Sequence, residues 1–247
     1  MAAYQLPKGV YRLGEAKPLT APIAFPFGLG REGVHEVCER SFGDRTAALG
    51  FVAAHLPKDG GLIAAVSEKR HLADHGRWYE TGLTDFSGRT HSILHIEARK
   101  NKDAHWATEE AARSGVASLV IAEMTSIDFT ASRRLALVTT KTGVPIILLL
   151  PYAAHGSTAA AVRWRLSAQV SADNAFDKSA PGAARWRVVA ERVRAAPDQA
   201  GAVFDLEFDY ETLSLNLVSQ LAAHTPQPHQ IGRASARLRA VQTLRAG

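Results

Sequence analysis

Between Gly33 and Leu49 the chain reads G-V-H-E-V-C-E-R-S-F-G-D-R-T-A-A-L. This is the pattern of a strand, a tight loop and the start of a helix, the setting in which a protein cradles a nucleotide's phosphates. A working phosphate loop is G-x-x-x-x-G-K-[S/T]: backbone N–H groups surround the phosphates, the lysine meets the terminal one, and the hydroxyl holds Mg²⁺. Here Cys38 stands at the first glycine, Gly43 at the second, Asp44 at the lysine and Arg45 at the hydroxyl residue, with Thr46 following. Backbone N–H groups at a helix N-terminus can still attract an anion. Asp44, however, puts a negative charge where the γ-phosphate needs a positive one. At ~4 Å two like charges repel by about 4 kcal/mol at an effective dielectric of 20. The residues describe a nucleotide loop that has lost hydrolysis, or an ordinary strand–turn–helix.

Other chemistry-bearing residues are sparser. Glu123 ends an apolar run, where an acid helps to hold Mg²⁺ in nucleotide hydrolases; capping a loop or meeting an arginine accounts for it equally. Glu68 ends another such run, near the place of a water-orienting base. His71 and His75, with Asp74 between them, share a helix face but lack a third ligand, and His35-x-x-Cys38 is likewise too sparse for zinc. Arg163 and Arg165 flank Trp164, and Arg185 and Arg187 flank Trp186. In a strand, residues two apart share a face. Two paired R-W-R strands would therefore set a basic face, suited to phosphates, over a tryptophan core; acidic neighbours meeting those charges is the alternative. No G-x-S-x-G, C-x-x-C or paired-carboxylate arrangement occurs, so the expectation is a protein that is not an enzyme, with no metal and no cofactor.

The elements that must position these residues follow from periodicity. Strands are expected at Val34–Glu39, Leu62–Val66, Ile93–Ile96, Ser118–Glu123 and Val144–Leu150. Helices are expected over Thr46–His55, in part of Arg70–Gly88, over Asp103–Arg113 with Asp103 as cap, and over Phe129–Thr140 with Thr130 or Ser132 near its start. This alternation predicts a parallel sheet covered by helices. After Pro151 the rhythm changes. Val162–Leu166, Arg185–Val193, Ala202–Phe208 and Thr212–Val218 alternate apolar and polar residues, which predicts half-exposed antiparallel strands. Asp173–Gly182 is turn-like, and Asp209-Tyr210-Glu211 reads as a hairpin turn.

The chain's 247 residues, 46% hydrophobic, are enough for one generous core domain. A formal charge of +5 favours acidic partners. The single cysteine rules out an internal disulfide and suits a reducing cytoplasm. No apolar run reaches the ~18 residues of a membrane span, so no membrane is expected. Residues 1–30 carry Pro7, Pro18, Pro22 and Pro26 and read as an extended arm anchored by Ile23, Phe25 and Phe27. Residues 31–220 form the core domain. Residues 221–247 form a tail carrying Arg233, Arg237, Arg239 and Arg245; Ile231, Ala234, Leu238, Val241 and Leu244 recur at helical spacing, which predicts a basic amphipathic helix able to dock on a partner or an acidic polymer.

The order of motifs is more specific than any one of them. G-V-H-E-V is followed by W-A-T-E-E-A-A-R-S-G, L-V-I-A-E, D-F-T-A-S-R-R-L, G-V-P-I-I-L-L-L, V-R-W-R-L, R-W-R-V and F-D-L-E-F. Across about residues 30–220 this series resembles the ImuA family of bacterial mutagenesis proteins, which are similar to RecA and SulA. The resemblance implies an α/β, RecA-like core with a mostly parallel sheet flanked by helices and antiparallel strands added after residue 160. It implies a cytoplasmic accessory of damage-induced translesion synthesis (the SOS response), beside an ImuB-type Y-family-like protein and an alternative C-family DNA polymerase, with RecA and DNA as further partners. A SulA-like inhibitor of a polymerising protein and a residual ATP-binding regulator of RecA are the other functions this family likeness admits. The connections after Glu123 and Leu150 are shorter than the DNA-binding loops of a recombinase.

Overall fold

The computed structural model describes residues 25–218, except 175 and 178. Nine strands form one sheet in the order β3-β2-β4-β5-β1-β6-β7-β8-β9. The strands are β1 (Val34–Glu39), β2 (Leu62–Glu68), β3 (Ser92–Ala98), β4 (Leu119–Glu123), β5 (Ile146–Leu150), β6 (Val162–Gln169), β7 (Arg185–Val193), β8 (Ala202–Asp209) and β9 (Ser214–Leu217). The helices are α1 (Arg45–Ala53), α2 (Lys69–His75), α3 (Glu80–Ser87), α4 (Asn101–Arg113) and α5 (Phe129–Thr142). Strands β1 to β6 pair in parallel, and β7, β8 and β9 are added antiparallel. This is the α/β architecture of a RecA-like core. No helix among the described residues is long and apolar enough to cross a membrane.

Strand alternation divides the core in two. On β5, Ile147 and Leu149 face one side of the sheet, while Ile146, Leu148 and Leu150 face the other. The first side packs against α1, α3 and the aromatic residues of β6 to β8; the second packs against α4 and α5. Strands covered on both faces read as near-continuous apolar runs except where a buried polar side chain has a partner, and the I-I-L-L-L of β5 carries no polar residue. Trp164 is the centre of the first side. Phe27 stacks on it at 5.6 Å between ring centroids, and Phe51 and Phe25 meet it edge-on at 5.6 and 5.8 Å. Phe25 and Phe27 are thus anchors of the N-terminal segment; Ile23 and the rest of residues 1–24 lie outside the described residues, as does the tail with Arg233, Arg237, Arg239 and Arg245.

Three local expectations are corrected. Helix α4 begins at Asn101, so Asp103 lies in its first turn rather than at the cap. There it still opposes the partial positive charge of the helix N-terminus. Helix α5 starts at the expected Phe129, with Thr130 and Ser132 near its start and Gly143, at a positive φ of 76°, as its stop, but it runs to Thr142 rather than Thr140, and Asp128 caps it by accepting from the Ala131 N–H at 2.7 Å. Strand β6 is not half exposed: Val162 to Leu166 are all buried. Phe27 and Phe51 cover one of its faces over Trp164, and the segment after β5 covers the other, where Arg163 and Arg165 donate to the carbonyls of Gly156, Tyr152 and Ala154.

Candidate functional site

The loop from β1 to α1 lies at the C-terminal edge of the parallel strands, where open α/β sheets hold their ligands. The altered positions of the phosphate-loop pattern, Cys38, Asp44 and Arg45, are otherwise engaged. Cys38 sits within β1, opposite Leu150 and Arg165, and burial pushes its thiol up to about 12. Gly43 takes a φ of 99°, a left-handed conformation that suits glycine. Asp44 is buried, and its carboxylate accepts from the Ser41 N–H at 3.0 Å, the Ser41 hydroxyl at 2.7 Å and the Ala168 N–H of β6 at 2.9 Å. Arg45 turns to the end of β4 and donates to Glu123 at 2.8 Å. Thr46 is exposed on the first turn of α1.

The acids of this edge are engaged too. Glu123 is nearly fully buried against Arg45. Glu68 accepts from the Thr125 N–H at 2.6 Å and the Thr125 hydroxyl at 3.2 Å, tying the end of β2 to the turn after β4. His71 and His75 lie on α2 with ring centroids 6.3 Å apart. Burial lowers the His71 pKa, and the Arg45 charge lowers it further. Among the described residues no three His, Cys, Asp or Glu side chains converge as a metal site.

The two R-W-R strands pair antiparallel, with both tryptophans in the core on one face. Their arginines divide by depth. Arg163 is buried beside a fully buried Glu36, Nε to Oε2 at 2.6 Å, and also donates to Gly156 O at 2.8 Å. Thr158 donates to the other Glu36 oxygen, and its hydroxyl shares a hydrogen bond with Ser132 at 2.9 Å. Arg165 donates to Glu191 and to the carbonyls of Glu39, Tyr152 and Ala154. Arg185 meets Glu207 and Arg187 meets Asp205, each at 2.7 Å. Acidic neighbours therefore balance all four cations, and only Arg185 and Arg187 reach the surface appreciably.

The Glu36 network was hidden from the sequence, although one signal was present. A carboxylate in the middle of V-H-E-V-C, inside a central strand, requires a buried partner. A second pair is also buried here. Trp164 Nε1–H donates to His35 Nδ1 at 3.2 Å, and the other ring nitrogen lies 3.2 Å from Glu32 O. These contacts assign the proton to Nε2 and keep the ring neutral. Burial lowers the His35 pKa to about 4.

No protein-family model matches the chain. Two curated proteins named Protein ImuA, from two strains of Caulobacter vibrioides, are each 27% identical to it over 222 residues, covering 83% of this chain and 88% of theirs. Over most of both chains, then, the protein is similar to the ImuA proteins.

Proposed function

We propose that this protein is a non-catalytic, RecA-like accessory in damage-induced mutagenesis, the role carried by the ImuA name. Its work is to hold other proteins, in the first place an ImuB-type Y-family-like protein and an alternative C-family polymerase, rather than to hydrolyse ATP. The supporting observation is the Arg45–Glu123 ion pair. A guanidinium sits against the carboxylate that would otherwise help to hold Mg²⁺, and the residue at the lysine position is an acid committed to Ser41 and Ala168. Triphosphate entry would have to break that pair and bring phosphate towards Asp44, with no ammonium to offset the charge.

Titration with a fluorescent ATP analogue and Mg²⁺ tests the catalytic half of this reading: no saturable binding is expected up to millimolar nucleotide, and saturation at micromolar nucleotide would overturn it. Co-purification with an ImuB-type protein, with and without residues 222–247, tests the scaffold half. A complex lost with the tail assigns partner docking to it, equal recovery moves docking to the core, and no complex with the full chain removes the scaffold reading.

A further inference from the structure

The formal charge of +5 is unevenly placed along the chain. Residues 25–218 hold 22 of the 29 Lys and Arg and 23 of the 24 Asp and Glu, so the body of the protein stands at −1. Residues 219–247 carry four arginines and no acid. Within the body, unpaired acids stand together at the C-terminal edge of the sheet. Asp173 and Asp177 lie in the connection from β6 to β7, and Asp209 and Glu211 in the turn from β8 to β9. The two loops are neighbours, since the Phe208 N–H donates to Ala184 O at 2.9 Å. Among the described residues none of these four carboxylates forms an ion pair; Asp177 and Asp209 accept only from groups of their own turns. The cation beside them is Arg40, exposed at the end of β1, and Lys178 lies outside the described residues.

The same edge bares apolar side chains. Phe42 in the β1–α1 loop and Val170 after β6 are each 89% exposed, and Tyr210 in the β8–β9 turn is 58% exposed. The first two loops are tied together: Asp44, two residues after Phe42, accepts from the N–H of Ala168, two residues before Val170. Phe42, Val170 and Tyr210 therefore mark one strip, flanked by carboxylates. From β1 to β9 the strand order β1-β6-β7-β8-β9 makes that strip roughly 19 Å long at about 4.8 Å per strand. In the tail, Ile231, Ala234, Leu238, Val241 and Leu244 recur at helical spacing with arginines between them. A helix over residues 231–244 measures about 21 Å. Strand β9 ends at Leu217, beside β8, and residues 218–230 can span up to about 45 Å.

We propose that this edge is the docking site of the chain's own tail. Residues 231–244 lie along the strip, their apolar face on Phe42, Val170 and Tyr210 and their arginines towards Asp173, Asp177, Asp209 and Glu211. Tethering favours this occupant: a short linker holds the tail at an effective concentration of about a millimolar, which a separate basic helix does not reach. The carboxylates repel a nucleic-acid backbone. The N-terminal segment enters at Phe25, which packs against Trp164, and carries Glu15 among its cations. The contact is a latch, because a partner that takes the tail must first draw it off this edge. The inference goes beyond the scaffold reading, and its test contains no partner, so its failure leaves that reading untouched.

The single cysteine, Cys38, is buried and its thiol is pushed up to about 12, so it stays unreactive. Val170→Cys in the full chain therefore puts one reactive thiol on the strip, and its rate of modification by an uncharged maleimide is the readout. Changing Arg233, Arg237, Arg239 and Arg245 to glutamine in that chain should speed the reaction about tenfold, the factor for a latch closed about nine-tenths of the time. Asp173→Asn with Asp209→Asn should speed it about threefold, as the loss of two exposed ion pairs allows. Val116→Cys, 71% exposed beyond the far end of α4, should react at one rate whatever the tail carries, and circular dichroism checks that every variant remains folded. Equal rates for Val170→Cys with and without the tail arginines overturn the latch, as does protection that survives the loss of the two carboxylates. A parallel rise at Val116→Cys overturns it too, since the whole body would then have loosened. Protection that disappears on about hundredfold dilution assigns the tail to a second copy and overturns the intramolecular contact.

Discussion

Arg45 and Glu123 stand 78 positions apart in sequence and 2.8 Å apart in the fold, joining the first turn of α1 to the end of β4. The carboxylate is nearly fully buried, so what matters energetically is less the attraction than what remains when one partner is removed. Truncating Arg45 leaves an uncompensated buried charge, and Arg45→Ala should cost about 3–5 kcal/mol. The double variant Arg45→Met with Glu123→Gln should cost markedly less than Arg45→Ala. Urea unfolding of the single and double variants measures the coupling, and additive losses would show that the two groups do not interact.

The R-W-R strands supply a contrast between two outwardly similar arginines. Arg163 faces the fully buried Glu36, whereas Arg187 faces Asp205 at the surface. Arg163→Ala should cost about 3–5 kcal/mol, and Arg187→Ala about 0–1 kcal/mol, since solvent and salt screen an exposed pair. Equal losses in chemical denaturation would contradict the difference in depth.

Stability should fall in mild acid because of His35. Its folded pKa, about 4, lies below the ordinary 6.5, so between these values the unfolded chain takes up a proton that the folded chain refuses. The contribution is full above pH 6.5, declines as pH falls towards 4 and then levels off, a loss of roughly 3 kcal/mol. Burial also lowers the His55 pKa to about 4, so unfolding free energies from pH 7.5 to 4.5 measure the sum of the two, and His35→Gln should reduce the slope without abolishing it. An unchanged slope in that variant would move the effect to other groups.

Gly50 lies in α1 with the Trp186 ring against it. A Cβ there would meet Cζ2 at 2.5 Å and Cη2 at 2.9 Å. Helix propensity alone would make alanine better by about 1 kcal/mol. Overpacking against a buried indole costs about 1–3 kcal/mol, so Gly50→Ala should be destabilising on balance. A raised melting temperature would show that the ring can give way.

What could be read in the sequence was mainly what is local. Val34–Glu39 and Arg185–Val193 occupy the expected bounds, because an apolar run and a period-two alternation each declare a strand within a few residues. Burial of β6 was not legible: its residues alternate like an edge strand's, and only the pairing with β1 on one side and β7 on the other reveals that it lies inside the sheet. The altered phosphate loop was visible residue by residue. The answering carboxylates were not assignable, since Glu36 meets an arginine 127 positions away and Arg45 an acid 78 away, distances that no local spacing encodes.

Arg165 grips the carbonyls of Glu39, Tyr152 and Ala154 at once. One guanidinium therefore straps the segment leaving β5 to the place where β1 ends, so that moving either strains three shared bonds. Whatever docks there meets an outline already set before contact, and little ordering entropy is left to be lost when the two surfaces close.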